Sequence, residues 1–255
     1  MDTIHIVTAT NDKYAKPLGV MIHSMLSNTK SADKIQLYII ESGLSSGNKK
    51  RLARVARSGG ARVNFLTIPH SLFGDLKKKS YLTQETYYRI AIPKLLGDTV
   101  TKALYLDSDM IVRKDIRILW EKNIDNCYAA AVEKVNVSSR KKKQLGMPKR
   151  ARYFNAGVML LNLKKWRERN IAKKIVRFSK KHRKSIEYCS QDPMNAVIKG
   201  KWRRLSRKWN FITTYARRNK KAKPAIIHYT GPKKPWEHGH PFRKAYKKYE
   251  NMLKW

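Results

Sequence analysis

Predicted strands and helices alternate over the first hundred residues, and this alternation constrains the fold more than any other feature. Apolar, β-branched runs predict strands at 4–8, 35–40, 63–68 and 102–106, and helical patterns separate them. Strand, helix, strand repeated in this way predicts an α/β fold with a mostly parallel twisted sheet flanked by helices. In such a sheet, ligands bind beyond the carboxyl ends of the strands.

The rest of the chain predicts a more mixed pattern. Apolar runs occupy 128–132, 157–163 and 225–229, and a basic amphipathic helix is predicted at 171–184. With 255 residues, 42% of them hydrophobic, the chain is long enough for one large α/β domain or two small ones. We favour a single domain with a mixed, mainly parallel central sheet.

Two carboxylates stand at the end of the fourth predicted strand. Asp107 and Asp109, separated by Ser108, directly follow the apolar run at 102–106. Their spacing sends both side chains to one side of an extended segment, where they can share a divalent cation that bridges to a diphosphate. Two aspartates that cap a turn are the structural alternative, and for an isolated motif of this length that alternative is the commoner one.

Basic residues outnumber acidic ones by far. The chain has 57 Lys and Arg against 18 Asp and Glu, and its formal net charge of +39 attracts polyanions of any kind. Nonspecific polyanion or nucleic-acid binding is therefore one alternative function. The charge is spread along the chain, and no zinc finger, helix-turn-helix or aromatic strand motif accompanies it, so we expect no specific nucleic-acid partner.

Cysteine usage and hydropathy bear on the compartment. Cys127 and Cys189 lie far apart and outside any CxxC spacing, which predicts neither a disulfide framework nor a zinc ribbon. No run approaches the roughly 18 apolar residues of a membrane span, and the start of the chain lacks the pattern of a signal peptide. We therefore expect a cytoplasmic protein.

Six motifs follow one another along the chain: Ala9-Thr10-Asn11-Asp12-Lys13-Tyr14, Tyr87-Tyr88-Arg89, Leu104-Tyr105-Leu106-Asp107-Ser108-Asp109, Tyr153-Phe154-Asn155-Ala156-Gly157-Val158, Ser190-Gln191-Asp192 and His228-Tyr229-Thr230-Gly231-Pro232-Lys233-Lys234-Pro235-Trp236. These motifs resemble those of glycosyltransferase family 8 and occur in the family's order. The match looks like the family's bacterial lipopolysaccharide galactosyl- and glucosyltransferases. It implies a Rossmann-like GT-A domain over 1–236, a UDP-sugar donor, Mn²⁺ with Mg²⁺ as the alternative, and transfer with retention of configuration. Residues 237–255 are left as a basic, aromatic tail.

The resemblance implies a metal site made of Asp107, Asp109 and His228. Mixed oxygen and imidazole ligation favours a transition ion such as Mn²⁺ over Ca²⁺. Gly231 and Lys234 are implied to contact the diphosphate, because a glycine lets the backbone approach a phosphate and a lysine supplies a point charge. A hydrogen-bonded histidine and a turn with solvated lysines are the structural alternatives.

Ala9, Asn11 and Tyr14 resemble the family's uridine-binding turn. The small side chain makes room for the base, and the tyrosine is available for stacking. Capping of a strand-to-helix turn by Asn11 or Asp12 is the structural alternative, and both can hold at once. Ser108 is included in the same predicted donor site.

Four residues are predicted to act on the sugar. By resemblance Arg89 reaches the donor, although a structural salt bridge would suit a buried arginine equally well. Asn155, Gln191 and Asp192 are placed beside the sugar. Retention requires either double displacement or a front-face process. Because an uncharged amide is a poor nucleophile, we favour the front-face route, in which Gln191 and Asp192 orient the sugar and stabilise developing positive charge.

The sequence defines the donor and acceptor only as classes. Ser190 replaces the acidic residue that the family usually has there, so we predict a UDP-hexose without choosing between galactose and glucose. Variable loops build acceptor pockets, here the segment 135–152, whose lysines suggest an anionic glycan, glycolipid or glycoprotein acceptor. A catalytically inactive relative that binds UDP-sugar is a further alternative.

Lysine runs beside aromatic residues also suggest peripheral contact with an anionic membrane at the inner face of the cell. They lie at 141–143, 173–174, 180–181 and 243–249. Each cation near such a surface contributes about 1 kcal/mol, so a handful would suffice for attachment. A solvated, highly charged surface is an equally strong alternative.

Overall fold

The computed structural model describes residues 2–68, 85–212 and 222–255. The strands there are, in chain order, β1 (Ile4–Asn11), β2 (Ile35–Ser42), β3 (Arg62–Thr67), β4 (Lys102–Leu106), β5 (Met110–Val112), β6 (Ala129–Glu133), β7 (Phe154–Asn162), β8 (Trp202–Leu205), β9 (Phe211–Ile212) and β10 (Ile226–His228). The helices are α1 (Ala15–Ser27), α2 (Ser46–Ser58), α3 (Glu85–Tyr88), α4 (Ile92–Leu95), α5 (Arg117–Trp120), α6 (Ser139–Gln144), α7 (Leu163–Glu168), α8 (Ile171–Lys181), α9 (Gln191–Ile198) and α10 (Arg243–Met252).

Ser45 predicts the start of a helix that runs to about residue 57, and Ser58-Gly59-Gly60 predicts its end; both signals are confirmed in α2. Ser45 caps the helix, because its hydroxyl oxygen accepts the backbone N–H of Asn48 at 3.3 Å. Gly59 and Gly60 follow its last turn, and Gly60 has a φ of +89°, which other residues rarely adopt. Local chemistry therefore fixes where this helix begins and ends.

The apolar pattern at 87–96 predicts one helical segment, and this prediction is wrong, because the structure has two short helices, α3 and α4, with a turn between them. Pro93 lies at the start of α4, and it has no N–H to donate to the carbonyl one turn earlier. The turn is instead closed by hydrogen bonds between residues three apart, such as the one from the Ile90 N–H to the Tyr87 carbonyl at 2.9 Å. Arg89 therefore lies in a turn.

The chain forms two compact units. The first comprises Met1–Thr67, Leu106–Lys122 and Ser206–Trp255, and the second comprises Ile68–Tyr105 and Asn123–Leu205. Residues beyond 236 belong to the first unit. The single-domain boundary at residue 236 stays a prediction.

The first unit contains two groups of paired strands. β1, β2 and β3 are parallel neighbours in the order β3-β2-β1, and the long apolar runs of β1 and β2 are almost entirely buried. The other group has the order β5-β10-β9, in which β10 is antiparallel to β5 and parallel to β9. This register sets His228 opposite Met110, the residue that follows Asp109.

The C-terminal helix is part of the first unit's core. Tyr246 and Tyr249 are 1% and 7% exposed and pack with apolar residues of α1, β5 and β10. The Tyr249 hydroxyl also accepts the side-chain N–H of Asn28 at 2.8 Å. The ring of Trp255 lies against Gly19. Tyr246 and Tyr249 therefore stabilise the fold and are not available to a membrane surface, whereas Trp255 is half-buried.

The second unit contains the strand order β4-β7-β6-β8. β6 is antiparallel to β7, with a bulge between Ala131 and Val132, and it is parallel to β8. β7 is buried along almost its whole length and carries Asn155 near its start, while Gln191 opens α9. Strand pairing in both units confirms the predicted α/β class with mixed, mainly parallel strands.

None of the helices in the described residues combines the length and the apolar content that crossing a membrane requires.

Candidate functional site

Three potential metal ligands come together in the first unit. One ligand atom from each of Asp107, Asp109 and His228 lies within 4.8 Å of the others. The Nε2 atom of His228 is 3.5 Å from an Asp107 carboxylate oxygen and 3.4 Å from one of Asp109. The structure therefore assembles the trio that the sequence predicts.

Asn210 orients the imidazole of His228. The side-chain oxygen of Asn210 lies 2.9 Å from His228 Nδ1, and both residues are buried. An amide oxygen only accepts, so Nδ1 carries the hydrogen, and Nε2, which faces the two carboxylates, is the nitrogen that can bind a metal ion. Supporting contacts of this kind fix the tautomer of metal-binding histidines.

The donor set suits a divalent transition ion. Two carboxylate oxygens and one imidazole nitrogen are ligands that such ions accept, whereas Ca²⁺ prefers oxygen throughout. Three protein ligands leave coordination positions for oxygens of another molecule. Asp107, Asp109 and His228 can therefore hold a metal ion.

Lys234 lies beside these ligands. Its ammonium group donates to an Asp109 oxygen at 2.6 Å and to the Tyr229 carbonyl at 2.9 Å. Burial raises the pKa of Asp109, but the charges and hydrogen bonds of Lys234 and His228 outweigh it and hold the pKa well below its usual range. Burial likewise lowers the pKa of Lys234, and Asp109 more than compensates. Both groups stay charged.

The predicted uridine turn lies in the same unit. The side-chain oxygen of Asn11 accepts the Tyr14 N–H at 3.2 Å, which confirms the expected capping role of Asn11. The Tyr14 ring meets Trp236 edge-on at 5.8 Å between centroids, and Lys234 Nζ is 6.0 Å from the Tyr14 centroid. Ala9 is buried in β1. A base-binding role of this turn stays a prediction.

Gly231 and Ser108 occupy turns of the first unit. Gly231 has a φ of +92°, which favours glycine, and a Cβ added there would meet nothing within 4 Å. The backbone conformation, and not lack of space, thus accounts for the glycine. Ser108 is half-buried between the two aspartates.

Gln191 and Asn155 lie in the second unit. The Gln191 side-chain oxygen accepts the Ala156 N–H at 3.1 Å, and its NH₂ group donates to the Tyr153 hydroxyl at 3.1 Å. The Asn155 side-chain oxygen accepts the Gly157 N–H at 2.9 Å. The start of β7 thus carries Asn155 and holds Gln191.

Arg89 is 6% exposed and binds groups of the second unit. Its guanidinium donates to the carbonyls of Ala156 and, at 3.0 Å, Thr86. It also lies 4.5 Å from the centroid of the Tyr105 ring. These contacts fix the guanidinium close to the residues that hold Gln191.

Asp192 is completely buried, and its carboxylate faces the interior of the second unit. Four donors contact it: the Tyr153 hydroxyl at 2.5 Å, the backbone N–H groups of Glu187 and Tyr188 at 2.6 and 2.9 Å, and Lys141 Nζ at 2.7 Å. Both carboxylate oxygens are thereby engaged with the protein.

Similarity to known proteins agrees with this arrangement. The model of the family described as "Glycosyl transferase family 8" matches residues 5–239. The chain belongs to glycosyltransferase family 8. General stress protein A of Bacillus subtilis is 32% identical, over 100% of this chain and 95% of that protein. The lipopolysaccharide 1,2-glucosyltransferase of Escherichia coli is 28% identical, over 92% of this chain and 73% of that protein.

A similar solved structure confirms the predicted GT-A fold. The crystal structure of galactosyltransferase LgtC with donor and acceptor sugar analogues matches with a TM-score of 0.91 at 26% identity. The match covers 99% of this chain and 97% of that chain. The chain is thus similar in fold, over almost its whole length, to an enzyme that binds both sugars.

Sequence reasoning missed Asn210, Trp236, Tyr153 and Lys141 as supports of predicted site residues. Tyr153 and Trp236 lie inside the family 8 motifs, and this location was the only sequence signal that they belong near the site. Lys141 opens a run of three lysines that looks like solvated surface, but its side chain is only 11% exposed. No sequence signal connects Asn210 with His228.

Proposed function

We propose that this member of glycosyltransferase family 8 transfers a hexose from a UDP-hexose to a glycan, glycolipid or glycoprotein acceptor, with retention of configuration. The observation that carries the proposal is the cluster of Asp107, Asp109 and His228 with the Lys234 ammonium beside it. A bound cation and a buried ammonium group together complement the charge of a diphosphate. Family membership supports the same activity.

The charge of the leaving group explains why the first unit places these groups together. A divalent ion held by the trio, Mn²⁺ with Mg²⁺ as the alternative, would neutralise charge that builds on the departing diphosphate. Lys234 donates hydrogen bonds to the same diphosphate, and the Gly231 backbone lets the phosphate approach closely. UDP then leaves without an acidic side chain on the protein to protonate it.

The N-terminal turn is proposed to bind the uridine. The Tyr14 ring offers an aromatic face to the base. Trp236 already contacts this ring, so Tyr14 loses little rotational freedom when the base binds. Asn11 fixes the turn by capping it, and the methyl side chain of Ala9 leaves room for the base. Ser108 accompanies the two carboxylates in the donor site.

Gln191, Asn155 and Arg89 are proposed to act on the hexose. In front-face transfer the bond from C1 to the UDP oxygen breaks while the acceptor oxygen bonds C1 on the same face, and the acceptor proton passes to the departing phosphate oxygen. The Gln191 side-chain oxygen stabilises positive charge that develops at C1. Asp192 orients the sugar indirectly, since its carboxylate faces the protein interior.

Glucose and galactose both remain candidates for the transferred hexose. One relative is named a glucosyltransferase and the matching structure a galactosyltransferase. Ser190, the neutral replacement at the position that the family usually gives to an acid, is buried at 2% exposure. We therefore propose the hexose as a class.

Release of free UDP tests the proposal. The protein is incubated with UDP-glucose or UDP-galactose, Mn²⁺ and a glycan acceptor library, and EDTA in a parallel sample removes the metal. We expect acceptor-dependent UDP release that EDTA abolishes and Mn²⁺ restores, with retained configuration in the product. Binding of UDP without turnover of either donor would indicate an inactive relative instead.

Thermal stabilisation distinguishes the donor from nonspecific polyanions. UDP with Mn²⁺ should raise the unfolding temperature at physiological salt, whereas duplex DNA should do so only at low salt. Stabilisation by DNA alone at physiological salt would favour the nucleic-acid alternative.

We also propose that exposed cations attach the protein to an anionic membrane at the cytoplasmic face. In α10, Lys244 and Lys248 are exposed next to Met252, which is 56% exposed. Anionic liposomes should sediment with the protein at low salt, and a Lys244→Glu, Lys248→Glu variant should sediment less. Equal recovery with neutral liposomes contradicts the proposal.

A further inference from the structure

A continuous chain of buried contacts stands behind Gln191 in the second unit. Lys141 Nζ lies 2.7 Å from the Asp192 carboxylate, which lies 2.5 Å from the Tyr153 hydroxyl. That hydroxyl lies 3.1 Å from the Gln191 side-chain nitrogen. Tyr153 and Asp192 are 1% and 0% exposed, so water does not compete for these contacts.

The direction of each hydrogen bond follows from the groups themselves. Burial and the Asp192 charge raise the pKa of Tyr153 well above its usual value, so the hydroxyl keeps its hydrogen. An ionised carboxylate only accepts, and that hydrogen therefore points to Asp192. The Tyr153 oxygen is left to accept from Gln191.

This arrangement permits one orientation of the Gln191 amide. Its nitrogen must face Tyr153, because the Tyr153 hydrogen is already committed to Asp192. Its oxygen must face the Ala156 N–H, which can only donate. If the amide were turned over, its nitrogen would face the Ala156 N–H, a second donor, and its oxygen would face the Tyr153 oxygen, a second acceptor, so that both hydrogen bonds would be lost.

Lys141 keeps the buried carboxylate in place. A buried charge without a partner is strongly unfavourable, and the ammonium supplies that partner together with two backbone N–H groups. Lys141 also donates to the Ser185 carbonyl at 3.0 Å. It stands on α6, which Ser138 caps, inside the segment 135–152 that is predicted to bind the acceptor.

We propose that Lys141, Asp192 and Tyr153 are positioning residues that fix the orientation of the Gln191 carboxamide. This inference rests on the proposed function, in which Gln191 contacts the transferred hexose. With the network intact, the remaining oxygen lone pair and the remaining N–H of the amide keep constant directions. A carboxamide free to turn would present its N–H where developing positive charge needs an oxygen, so turnover depends on the network and UDP binding does not.

Tyr153→Phe is the most direct test, because it removes one oxygen and keeps the ring. We expect kcat to fall about 10- to 100-fold, the range typical of lost supporting contacts, while the affinity for UDP with Mn²⁺ stays within about twofold. Tyr128→Phe, the same change elsewhere in the second unit, should leave both unchanged. An unaltered kcat in Tyr153→Phe overturns the proposal.

A double-mutant cycle separates positioning from a general structural role. If Tyr153 acts through Gln191, Tyr153→Phe should change kcat by less than about twofold once Gln191→Ala is present. Equal losses in the presence and absence of Gln191 would show that Tyr153 acts elsewhere. Should Tyr153→Phe fold poorly, Lys141→Arg, which keeps the charge, serves as the second variant of the cycle.

A measurement without turnover distinguishes failure of this proposal from failure of the proposed function. The side-chain NH₂ signals of Gln191 in an ¹⁵N–¹H spectrum are assigned by their loss in Gln191→Ala. Tyr153→Phe should shift them and speed their hydrogen exchange, whereas Tyr128→Phe should not. Unchanged signals in Tyr153→Phe overturn the positioning role. Absence of UDP release from the unaltered protein would refute only the proposed function.

Discussion

The two units each contain an aspartate paired with a lysine, at nearly equal distances. Lys234 Nζ lies 2.6 Å from Asp109, and Lys141 Nζ lies 2.7 Å from Asp192. The surroundings differ: Asp109 is 13% exposed and shares its space with His228, whereas Asp192 is 0% exposed and is contacted by the Tyr153 hydroxyl and two backbone N–H groups. The same ion pair thus stands in two different settings.

This difference teaches what each carboxylate can do. The Asp109 site gathers a second acid, Asp107, and an imidazole lone pair, so it attracts an additional cation. Donors already satisfy Asp192, so the carboxylate holds neighbouring groups in place and has no need of a ligand. The groups that surround an Asp–Lys pair therefore indicate its role better than the identity of the two residues does.

The largest expected effect comes from removing one acid of the metal cluster. Asp109→Asn should lower the rate of UDP release at least about 10³-fold, because a bound metal contributes several kcal/mol of charge stabilisation. Mn²⁺ titration should show the matching loss of affinity. Asp33→Asn, at an exposed residue of the first unit, is the control. Full activity of Asp109→Asn would refute the metal site.

Removing each lysine in turn tests the comparison itself. Lys234→Met should lower kcat about 100-fold, since one lost donor to the leaving group has an effect of this size. Lys141→Met should also lower the free energy of unfolding by about 3 kcal/mol, because Asp192 stays buried without its counter-charge, in addition to the fall in kcat expected when a positioning residue is lost. Kinetics and denaturant unfolding are measured on both variants. If both lose mainly stability, the contrast between the two settings is wrong.

A smaller effect is expected at the support of His228. Asn210→Ala should weaken Mn²⁺ binding about 10-fold, because the imidazole is no longer held with its lone pair towards the carboxylates. Isothermal titration with Mn²⁺ measures this affinity. Asn251→Ala, at an exposed position of the same unit, should leave it unchanged. Unaltered affinity in Asn210→Ala would mean that packing alone orients the ring.

The smallest effect concerns the turn that precedes Lys234. Gly231→Ala should cost about 1 kcal/mol of stability, because alanine is strained at a φ of +92°. Gly47→Ala lies within the first turn of α2, at a position with open space for the added Cβ, and should be neutral or slightly stabilising. Thermal unfolding of both variants checks this difference. Equal stability would show that the turn relaxes.

Much of the metal cluster could be predicted from the sequence. Hydrophobic runs locate buried strands, and Asp107, Asp109 and His228 stand where such runs end. Strand ends are where ligands bind in α/β sheets, and family resemblance joined the histidine to the two acids. The Ser45 cap was visible for the same kind of reason, since it depends on neighbours in the chain.

Contacts between distant segments could not be predicted. Three consecutive lysines look alike in a sequence, and only the fold shows that Lys141 meets Asp192 while Lys142 is half-buried and Lys143 is exposed. Tyr246 and Tyr249 alternate with lysines as membrane-facing residues would, yet their partners come from distant parts of the first unit. Periodicity indicates that a side chain is covered but not what covers it. Pro93, by contrast, was a readable signal that was overlooked.

Because the C-terminal helix packs into the core, a deletion cannot separate membrane binding from folding at this end of the protein. Deleting α10 would strip two large rings from the interior and leave Asn28 without its phenol partner. A shortened protein that fails to reach liposomes would thus report misfolding rather than lost lipid attraction. Single charge reversals at outward-facing lysines change the electrostatics alone and leave the hydrophobic interior whole.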